Sequence, residues 1–438
     1  MMITKIPKRI STALIHSLSS GVVPRTGLGY ITVGRRAETE ALTKDLASIE
    51  AGAGGFRVVC GRYGSGKSFL LQTIRSYSLE KGFITADADL SPERRLVGTK
   101  GQGLATYREL MINFATRTRP DGGALELILQ KWIAALRQEV EAENSGIADE
   151  DLIILVGEKI EETAGEMVEL IHGFDFAKVM VGYWQAYKTG DTEKRQAALR
   201  WLRGEYTTKT EAKRALNVGS IITDENWYDF IKLWAKFVTK IGYKGLVVFI
   251  DEAVNLYKIP NSQSRTANYE KILSIFNDTM QGKAEHLYFL MGGTPQFVED
   301  ERRGLFSYEA LRSRLMQGRY ATEELRNLSA PVIRLKQLTD EEVFLLLKKL
   351  RELHAEHHGY EMNASDEELI SFLENAVGRM GAKTLLTPRE VIRDFLDTLD
   401  LLQQNPEMRM ADILKDHKVE AAKEDPDEVD DFLMGFEI

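Results

Sequence analysis

The chain has 438 residues, of which 43% are hydrophobic and 28% charged, and its formal net charge is −9. This length and composition indicate a globular protein of two or three domains, and no apolar run approaches the ~20 residues that span a bilayer, which excludes a helical membrane protein. The acidic balance argues against a dedicated nucleic-acid binder, while the single cysteine, Cys60, excludes an internal disulfide and fits a reducing cytoplasm.

The N-terminal part of the chain predicts two helices, a strand and a glycine-rich loop. Residues 1–20 have the apolar spacing of an amphipathic helix, and a second helix is predicted to end near Ala51. The buried strand Phe56–Cys60 leads into GRYGSGKS at residues 61–68, which fits G-x-x-x-x-G-K-[ST]. A helix is predicted to follow, so strand, loop and helix come in the order that a phosphate-binding loop requires.

Each residue type in this loop has a chemical role. Glycines let backbone N–H groups turn inward on a triphosphate, through conformations that a Cβ would obstruct. Lys67 would meet the β- and γ-phosphates of ATP, and the Ser68 hydroxyl would ligate Mg²⁺. The alternative is a chance glycine-rich turn, against which the flanking strand and helix argue. The predicted ATP-contacting residues of this segment are Gly61, Tyr63, Gly64, Ser65, Gly66, Lys67, Ser68 and Phe69.

The remaining elements predict an α/β fold with a parallel sheet covered by helices. A second strand is predicted at Phe83–Asp89. The apolar spacing predicts helices from about residue 100 to 244 and again over residues 339–404. From Glu424 the chain holds seven acidic residues and no basic one, which is typical of a disordered or docking tail. Further short apolar runs, typical of parallel strands, are Leu246–Ile250, Leu287–Met291 and Val332–Leu335.

Two adjacent acids end the predicted strand at residue 250. Asp251 would hold Mg²⁺, directly or through water, and Glu252 would orient and deprotonate an attacking water. The alternative is an acidic cap on a buried strand. The next strand ends near Thr294, which would either sense the γ-phosphate or cap the following turn.

Three arginines are candidates for contacts with the nucleotide. Arg312 or Arg314 could reach the γ-phosphate of a neighbouring subunit as a finger, unless they form only a solvated helix face. Arg389 lies in the first turn of a helix with Thr387 as its N-cap and Glu390 completing a capping box. It could fold over the nucleotide or remain a surface residue.

These elements in this order resemble the AAA+ ATPases, and within them the origin-recognition and signalling clade. The motifs are VGRRAETEAL at 33–42, GRYGSGKS, VVFIDE, the GGTP strand tip, LRSRL and TPREV. The resemblance implies that Val33, Gly34 and Arg35 lie against the adenine. It also implies N-terminal helices and an adenine-side segment over 1–55, a core over 56–335 with a helical insertion at about 100–244, a helical lid over 336–408 and an acidic tail over 409–438.

A closer resemblance is to the BrxD-type ATP-binding proteins of BREX bacteriophage-defence systems. It covers roughly residues 5–410 and is carried by GRYGSGKSFLLQ, DADLSPERRLVG, GLATYRELM, RTRPDGGAL and TPREVIRDFLDTLDLLQQNP. It implies a bacterial or archaeal ATPase that acts beside a helicase, a methyltransferase and an alkaline-phosphatase-like protein. It does not imply a defined substrate.

Three other groups of residues invite functional interpretations. Residues 186–215 combine basic charge with Tyr187, Trp201 and Tyr206, which suits nucleic acid, although a solvated helical pair with buried aromatics is the favoured interpretation. The segment LHAEHHG at 353–359 suggests a metal site, but the sequence shows no third ligand and favours a surface helix end. Further candidates for a DNA-facing surface are Arg94, Arg95, Lys100, Arg117 and Arg119.

The main functional hypothesis is therefore an oligomerising ATPase in antiviral defence. The rival is an origin-recognition-like switch that binds duplex DNA or loads a helicase with little hydrolysis. The long helical stretch at about 100–244 motivates the rival, since such insertions often carry partner contacts. A small-molecule kinase fits poorly because no acceptor site is apparent.

Overall fold

The computed structural model of the chain describes residues 6–322, 325–361, 364–379 and 387–416. Within these ranges all five predicted strands are present and pair in parallel in the order β2-β3-β4-β1-β5. The strand that leads into the glycine-rich loop therefore lies beside β4, and β4 separates it from β3. The strands are β1 Gly55–Cys60, β2 Ile84–Asp89, β3 Leu246–Asp251, β4 Leu287–Gly293 and β5 Val332–Arg334.

Helices occupy most of the remaining described chain. They are, in chain order, α1 Lys8–Ser19, α2 Leu28–Ile31, α3 Arg36–Glu50, α4 Lys67–Glu80, α5 Gln102–Ile112, α6 Leu125–Glu143, α7 Asp149–Gly165, α8 Gly173–Thr189, α9 Thr192–Leu202, α10 Lys209–Leu216, α11 Trp227–Lys240, α12 Val254–Tyr257, α13 Ser262–Met280, α14 Pro295–Glu299, α15 Glu309–Leu315, α16 Asp340–His358, α17 Asp366–Arg379, α18 Pro388–Gln404 and α19 Met410–Asp416. None of them, over the ranges described, combines the length and the apolarity that crossing a membrane requires.

The chain divides into two compact units, each with its own core. The sheet unit comprises residues Arg36–Arg62 and Leu70–Leu335, and the helical unit comprises Met1–Arg35, Tyr63–Phe69 and Lys336–Ile438. The helical unit is thus assembled from three separate stretches of sequence, one of which is most of the glycine-rich loop.

Both faces of the sheet are covered. Since successive side chains of a strand point to opposite faces, each strand contributes residues to two cores. On β3, Val248 and Ile250 face one core, while Val247 and Phe249 face the other. All five residues Leu246–Ile250 are buried, which explains why this strand has an uninterrupted apolar sequence rather than an alternating one.

The helices between β2 and β3 share one continuous core with the sheet. Helix α5 packs on β2 and α11 packs on β3. The indole of Trp234 on α11 lies 5.3 Å from the ring of Phe114 and 5.2 Å from that of Phe176. The predicted helical stretch at about 100–244 is therefore built as an extension of the sheet core.

In the helical unit, the N-terminal helices pack on the C-terminal ones. Helix α1 contacts α16 and α18, and α2 contacts α16. Their buried residues include Leu14 and Ile31, which join Leu350 and Phe395 in one core. Long-range packing therefore groups α1 and α2 with the C-terminal helices.

A short helix follows α18 in the described chain. Residues Met410–Asp416 form α19, and Met410 is buried in the core of the helical unit. Helix α19 contacts α17 and α18. The acidic stretch from Glu424 lies outside the described residues.

A buried asparagine holds the chain that follows β2. Asn268 on α13 is fully buried, and its Oδ1 accepts hydrogen bonds from the backbone N–H groups of Leu96 and Val97, each at 2.9 Å. Its Nδ2 donates to the carbonyl oxygens of Val97 and Ser264 at 3.0 and 2.8 Å. The side chain therefore supplies the partners that this irregular segment lacks, since buried backbone polar groups need hydrogen bonds.

The variant Asn268→Ala is expected to lower the free energy of unfolding by about 2–4 kcal/mol, because it leaves the N–H groups of Leu96 and Val97 without their acceptor. Urea denaturation of the full chain measures the change. Glu270→Ala, at an exposed position of the same helix, is the matched control and should change stability by less than about 0.5 kcal/mol. Equal effects of the two variants would show that Asn268 does not have this role.

Candidate functional site

At two positions of the glycine-rich loop, the backbone has a conformation that only glycine adopts readily. Gly64 and Gly66 have φ angles of 72° and 85°. A Cβ at Gly64 would lie 2.5 Å from the Cβ of Thr387, so this position also lacks room for a side chain. A Cβ at Gly66 would meet open space, which makes its φ angle the reason for glycine there.

The loop is held within the helical unit by a buried arginine. Arg35 is 5% exposed, and its Nη2 donates to the carbonyl oxygens of Ser65 at 2.8 Å and Lys336 at 2.6 Å. The Ser65 hydroxyl is buried and has no hydrogen-bond partner among the described residues. A buried hydroxyl of this kind is costly unless a ligand or water completes it.

Arg389 contacts the same loop. It lies in the first turn of α18, where Thr387 and Glu390 form the predicted capping box. Its Nη1 donates to the Tyr63 hydroxyl at 2.7 Å, and its guanidinium lies 5.3 Å from the centre of the Tyr63 ring. Tyr63 is 58% exposed, so this pair lies on the surface of the helical unit.

The other predicted residues ahead of and after the loop have varied surroundings. Val33 is buried in the helical core, while Phe69 packs partly against it. Gly34 has a φ of 66°, and a Cβ there would lie 2.6 Å from Glu342 Oε1. Lys67 and Ser68 begin α4 and are half-buried.

In the sheet unit, parallel pairing brings acids together at the carboxyl edge of the sheet. Asp251 ends β3 and pairs in register with Asp89, which ends β2. Asp251 Oδ1 accepts from the Glu252 N–H at 2.8 Å. Glu252 itself has a φ of 55°, a left-handed conformation that is unfavourable for a residue with a Cβ and that concentrates at functional sites.

The charges at this edge act on one another. Asp89 lies at an exposed position at the end of β2, where nearby protein atoms only partly desolvate its carboxyl group. This partial desolvation, and then the negative charges of Asp251, Asp87 and Glu252, raise its pKa from 3.8 to about 6, against the opposing effect of Arg94. An extra cation at this edge would relieve the repulsion. Oxygen-only ligands of this type suit Mg²⁺ rather than a softer metal.

The strand between β1 and β3 is adapted to these carboxylates. A Cβ at Gly292 on β4 would lie 2.3 Å from Asp251 Oδ1, so any larger residue there would displace the carboxylate. The Gly61 N–H donates to the Gly293 carbonyl at 3.1 Å, which ties the start of the glycine-rich loop to the tip of β4. Thr294, next along the chain, caps α14 by accepting from the Phe297 N–H at 3.2 Å.

The two candidate finger arginines lie on α15 in surface contacts. Arg312 Nη2 pairs with Glu301 Oε1 at 2.7 Å. Arg314 Nε donates to Asn277 Oδ1 at 3.1 Å. Both side chains retain access to solvent, and surface pairs of this kind contribute little to stability.

In the basic stretch at 186–215, two of the three aromatic residues are buried, as the favoured interpretation predicted, whereas Tyr187 is exposed. Trp201 and Tyr206 are 1% and 2% exposed, and Arg200 covers the Tyr206 ring at 4.7 Å. Arg200 also pairs with Glu205 and Glu211. Of the other candidate DNA contacts, Arg94 pairs with Glu109 at 3.5 Å.

Several features of these surroundings are not visible in the sequence patterns. Asp89 belongs to the DADLSPERRL segment, but its closeness to Asp251 depends on strand order. The Arg389–Tyr63 contact joins residues 326 positions apart. The sequence indicated one other feature of the site in advance. The two adjacent glycines before Thr294, on a buried strand, indicate that another group approaches the backbone closely there.

The five-stranded parallel sheet, with a glycine-rich loop leaving the carboxyl end of β1, is consistent with the core of a P-loop nucleotide-binding protein. A sequence model of the family described as BREX system ATP-binding protein BrxC/D matches residues 6–418. The chain therefore belongs to this family of ATP-binding proteins of BREX phage defence, as the sequence motifs predicted. A search of curated proteins found no significant match.

The raised pKa of Asp89 has a consequence for stability. A carboxyl whose pKa is higher in the folded state than the ordinary 3.8 binds protons on folding between about pH 4 and 6, so its contribution to stability decreases as the pH rises through this window. The variant Asp89→Asn is therefore expected to be more stable than the wild type at pH 7, with a smaller difference at pH 4.

Thermal denaturation at the two pH values measures this. Asp121→Asn, at an exposed position, is the control, and its stability relative to the wild type should be the same at pH 4 and pH 7. A stability difference for Asp89→Asn that is the same at pH 4 and pH 7 would contradict the raised pKa of Asp89.

Proposed function

We propose that this protein is an AAA+ type ATPase of BREX antiviral defence that couples ATP hydrolysis to oligomerisation or to engagement of DNA or a partner. One observation carries the proposal. The carboxyl end of β1, from which the glycine-rich loop leaves, and that of β3, which carries Asp251 and Glu252, lie at the same edge of one parallel sheet. Nucleotide hydrolysis requires acidic residues at the edge of the sheet where the phosphate-binding loop starts.

The loop residues fit a triphosphate. The left-handed glycines Gly64 and Gly66 would let backbone N–H groups face phosphate oxygens, and the buried Ser65 hydroxyl supplies an unused polar group. Lys67 would place its ammonium at the β- and γ-phosphates. Ser68 would be a ligand of Mg²⁺, which neutralises phosphate charge when bound.

The acid pair would divide two tasks. Asp251, held by the Glu252 N–H, would hold Mg²⁺ directly or through water. Glu252 would orient water and accept its proton, a role that its left-handed backbone supports by setting the direction of its side chain. Thr294 would hold water or the γ-phosphate, a task it could perform while its Oγ1 also caps α14.

The helical unit would contribute to recognition of the base and to sensing. Val33, Gly34 and Arg35 would form the adenine side, with Arg35 fixing the loop through Ser65. Arg389 would contact the nucleotide from α18, and its hydrogen bond to Tyr63 of the loop supports this role. In this interpretation residues 336–408 act as the lid and the helices at about 100–244 as an insertion that carries partner contacts.

The rival is a nucleotide-gated switch that engages duplex DNA or loads a helicase with little hydrolysis. The other BREX components, among them a helicase, a methyltransferase and an alkaline-phosphatase-like protein, are the natural partners of either version. The two differ in one measurable quantity, the turnover that depends on Glu252.

Lys67→Ala is expected to abolish ATP binding, because the phosphates lose their charged partner. Glu252→Gln should bind ATP normally and lower kcat by about 10²–10⁴-fold, the contribution typical of a general base. Equilibrium binding and phosphate release measure these quantities, with the exposed residues Lys81→Ala and Glu270→Gln as controls. Tight binding with no Glu252-dependent turnover would favour the switch, and normal binding by Lys67→Ala would contradict both.

A finger that acts between subunits predicts complementation. If Arg312 is the finger, Arg312→Ala should lower turnover by about 10³–10⁵-fold while ATP binding persists, and Arg314→Ala should not. Mixing Arg312→Ala with Glu252→Gln should restore part of the activity, because some interfaces then combine an intact glutamate with an intact arginine. Full activity of both arginine variants would exclude a finger on α15.

A further inference from the structure

The helical unit contains a cluster of potential metal ligands that is separate from the residues of the proposed ATPase. His354 and His358 lie on α16, and Asp400 lies on α18. One ligand atom from each of the three lies within 4.8 Å of the others. The spacing of four residues puts both imidazoles on one face of α16, and packing of α18 against α16 supplies the carboxylate that the sequence pattern lacked.

His354 is held in an orientation suited to a metal ligand. It is fully buried, its Nδ1 lies 2.9 Å from the Tyr360 hydroxyl and its Nε2 lies 2.9 Å from Asp400 Oδ1. Metal-binding histidines usually donate their second ring N–H to an oxygen, which fixes the ring and the tautomer. A hydrogen bond from Nδ1–H to Tyr360 would leave Nε2 directed at the same place as Asp400.

His358 and Asp400 leave the cluster accessible. The His358 ring centre lies 4.4 Å from that of His354, and its side chain is exposed. The Asp400 side chain is 38% exposed. A cation could thus enter from solvent and keep water as a further ligand, which is the arrangement of an open three-ligand site.

The neighbouring histidine is engaged elsewhere. His357 Nδ1 lies 2.8 Å from the Ser11 hydroxyl on α1, and this residue is not one of the three ligands. A purely structural role explains the contacts of His354 with Tyr360 and Asp400. It does not account for the second imidazole, that of His358, within 4.8 Å of the same carboxylate.

We propose that His354, His358 and Asp400 form a binding site for Zn²⁺ or a similar divalent transition metal, with water as the fourth ligand. Two nitrogens and one carboxylate oxygen are a ligand set that zinc accepts. Zinc–ligand bonds of ~2.0–2.2 Å place tetrahedral ligands about 3.4 Å apart. The 2.9 Å between His354 Nε2 and Asp400 Oδ1 therefore has to lengthen by about 0.5 Å, and the His358 nitrogen, within 4.8 Å of both, has to adjust to the same spacing. Rotation of the exposed His358 side chain provides this movement.

The site would join α16 to α18 within the helical unit. Helix α18 begins at Pro388, and Arg389 in its first turn donates a hydrogen bond to Tyr63 of the glycine-rich loop. Bound metal would therefore stabilise the packing of the helix that carries Arg389. This effect does not depend on whether the protein hydrolyses ATP.

The test uses the full chain, stripped with a chelator and titrated with ZnCl₂ against a chromophoric competitor. The expected result is one tightly bound zinc per chain and a higher thermal midpoint, and Co²⁺ in place of zinc should give the visible absorption of a tetrahedral site. His358→Ala should lower zinc affinity by at least about 10–100-fold, the loss that follows even removal of a partner outside the ligand set. Since His358 is exposed, this variant is expected to remain folded, which circular dichroism checks.

The control is His357→Gln, which should bind zinc within about twofold of the wild type. Three results would overturn the proposal. They are a wild-type chain that binds no stoichiometric zinc, a His358→Ala chain that binds it equally well, and a His357→Gln chain that loses as much affinity. None of them bears on ATP binding, so the proposed function stands or falls separately.

Discussion

The parallel pairing of β3 with β2 and β4 is the constraint on which the candidate site depends. In a parallel sheet all carboxyl ends meet at one edge, so residues that follow different strands become neighbours there. This pairing puts Asp251 beside Asp89 and over Gly292, although the three come from distant parts of the chain. The Asp251 carboxylate leaves no room for a side chain at residue 292, and its charge adds to desolvation in raising the pKa of Asp89.

The helical unit is organised by contacts between its ends in sequence. Helices α1 and α2 pack on α16 and α18, and Arg35 ties the N-terminal segment both to the glycine-rich loop and to Lys336. Most of the loop is therefore part of the helical unit, which combines the N-terminal and C-terminal segments of the chain. This arrangement gives a reason for the extension of family similarity over residues 6–418, since the N-terminal helices and α18 depend on each other for burial.

Much of the fold could be predicted from local pattern. The central strands β3 and β4 are short, largely apolar runs. The Thr387–Glu390 capping box and the Thr294 cap follow from residue types at fixed spacing. The unit boundary at Arg35 and the folded helix α19 could not be predicted in this way. Both depend on packing between helices that are distant in sequence. The same holds for Asn268, whose role is to satisfy the backbone of Leu96 and Val97, far from it in sequence.

The sequence by itself determined the chemistry available: a loop of phosphate-binding type, an acid pair after an apolar strand, and histidines four residues apart on a helix. These are signals in which neighbouring residues alone set the geometry. The tertiary structure decided which groups meet, namely Asp89 with Asp251, Arg389 with Tyr63, and Asp400 with His354. The physical reason is that strand order and helix packing bring together residues from distant parts of the chain, and short-range periodicity carries no information about either.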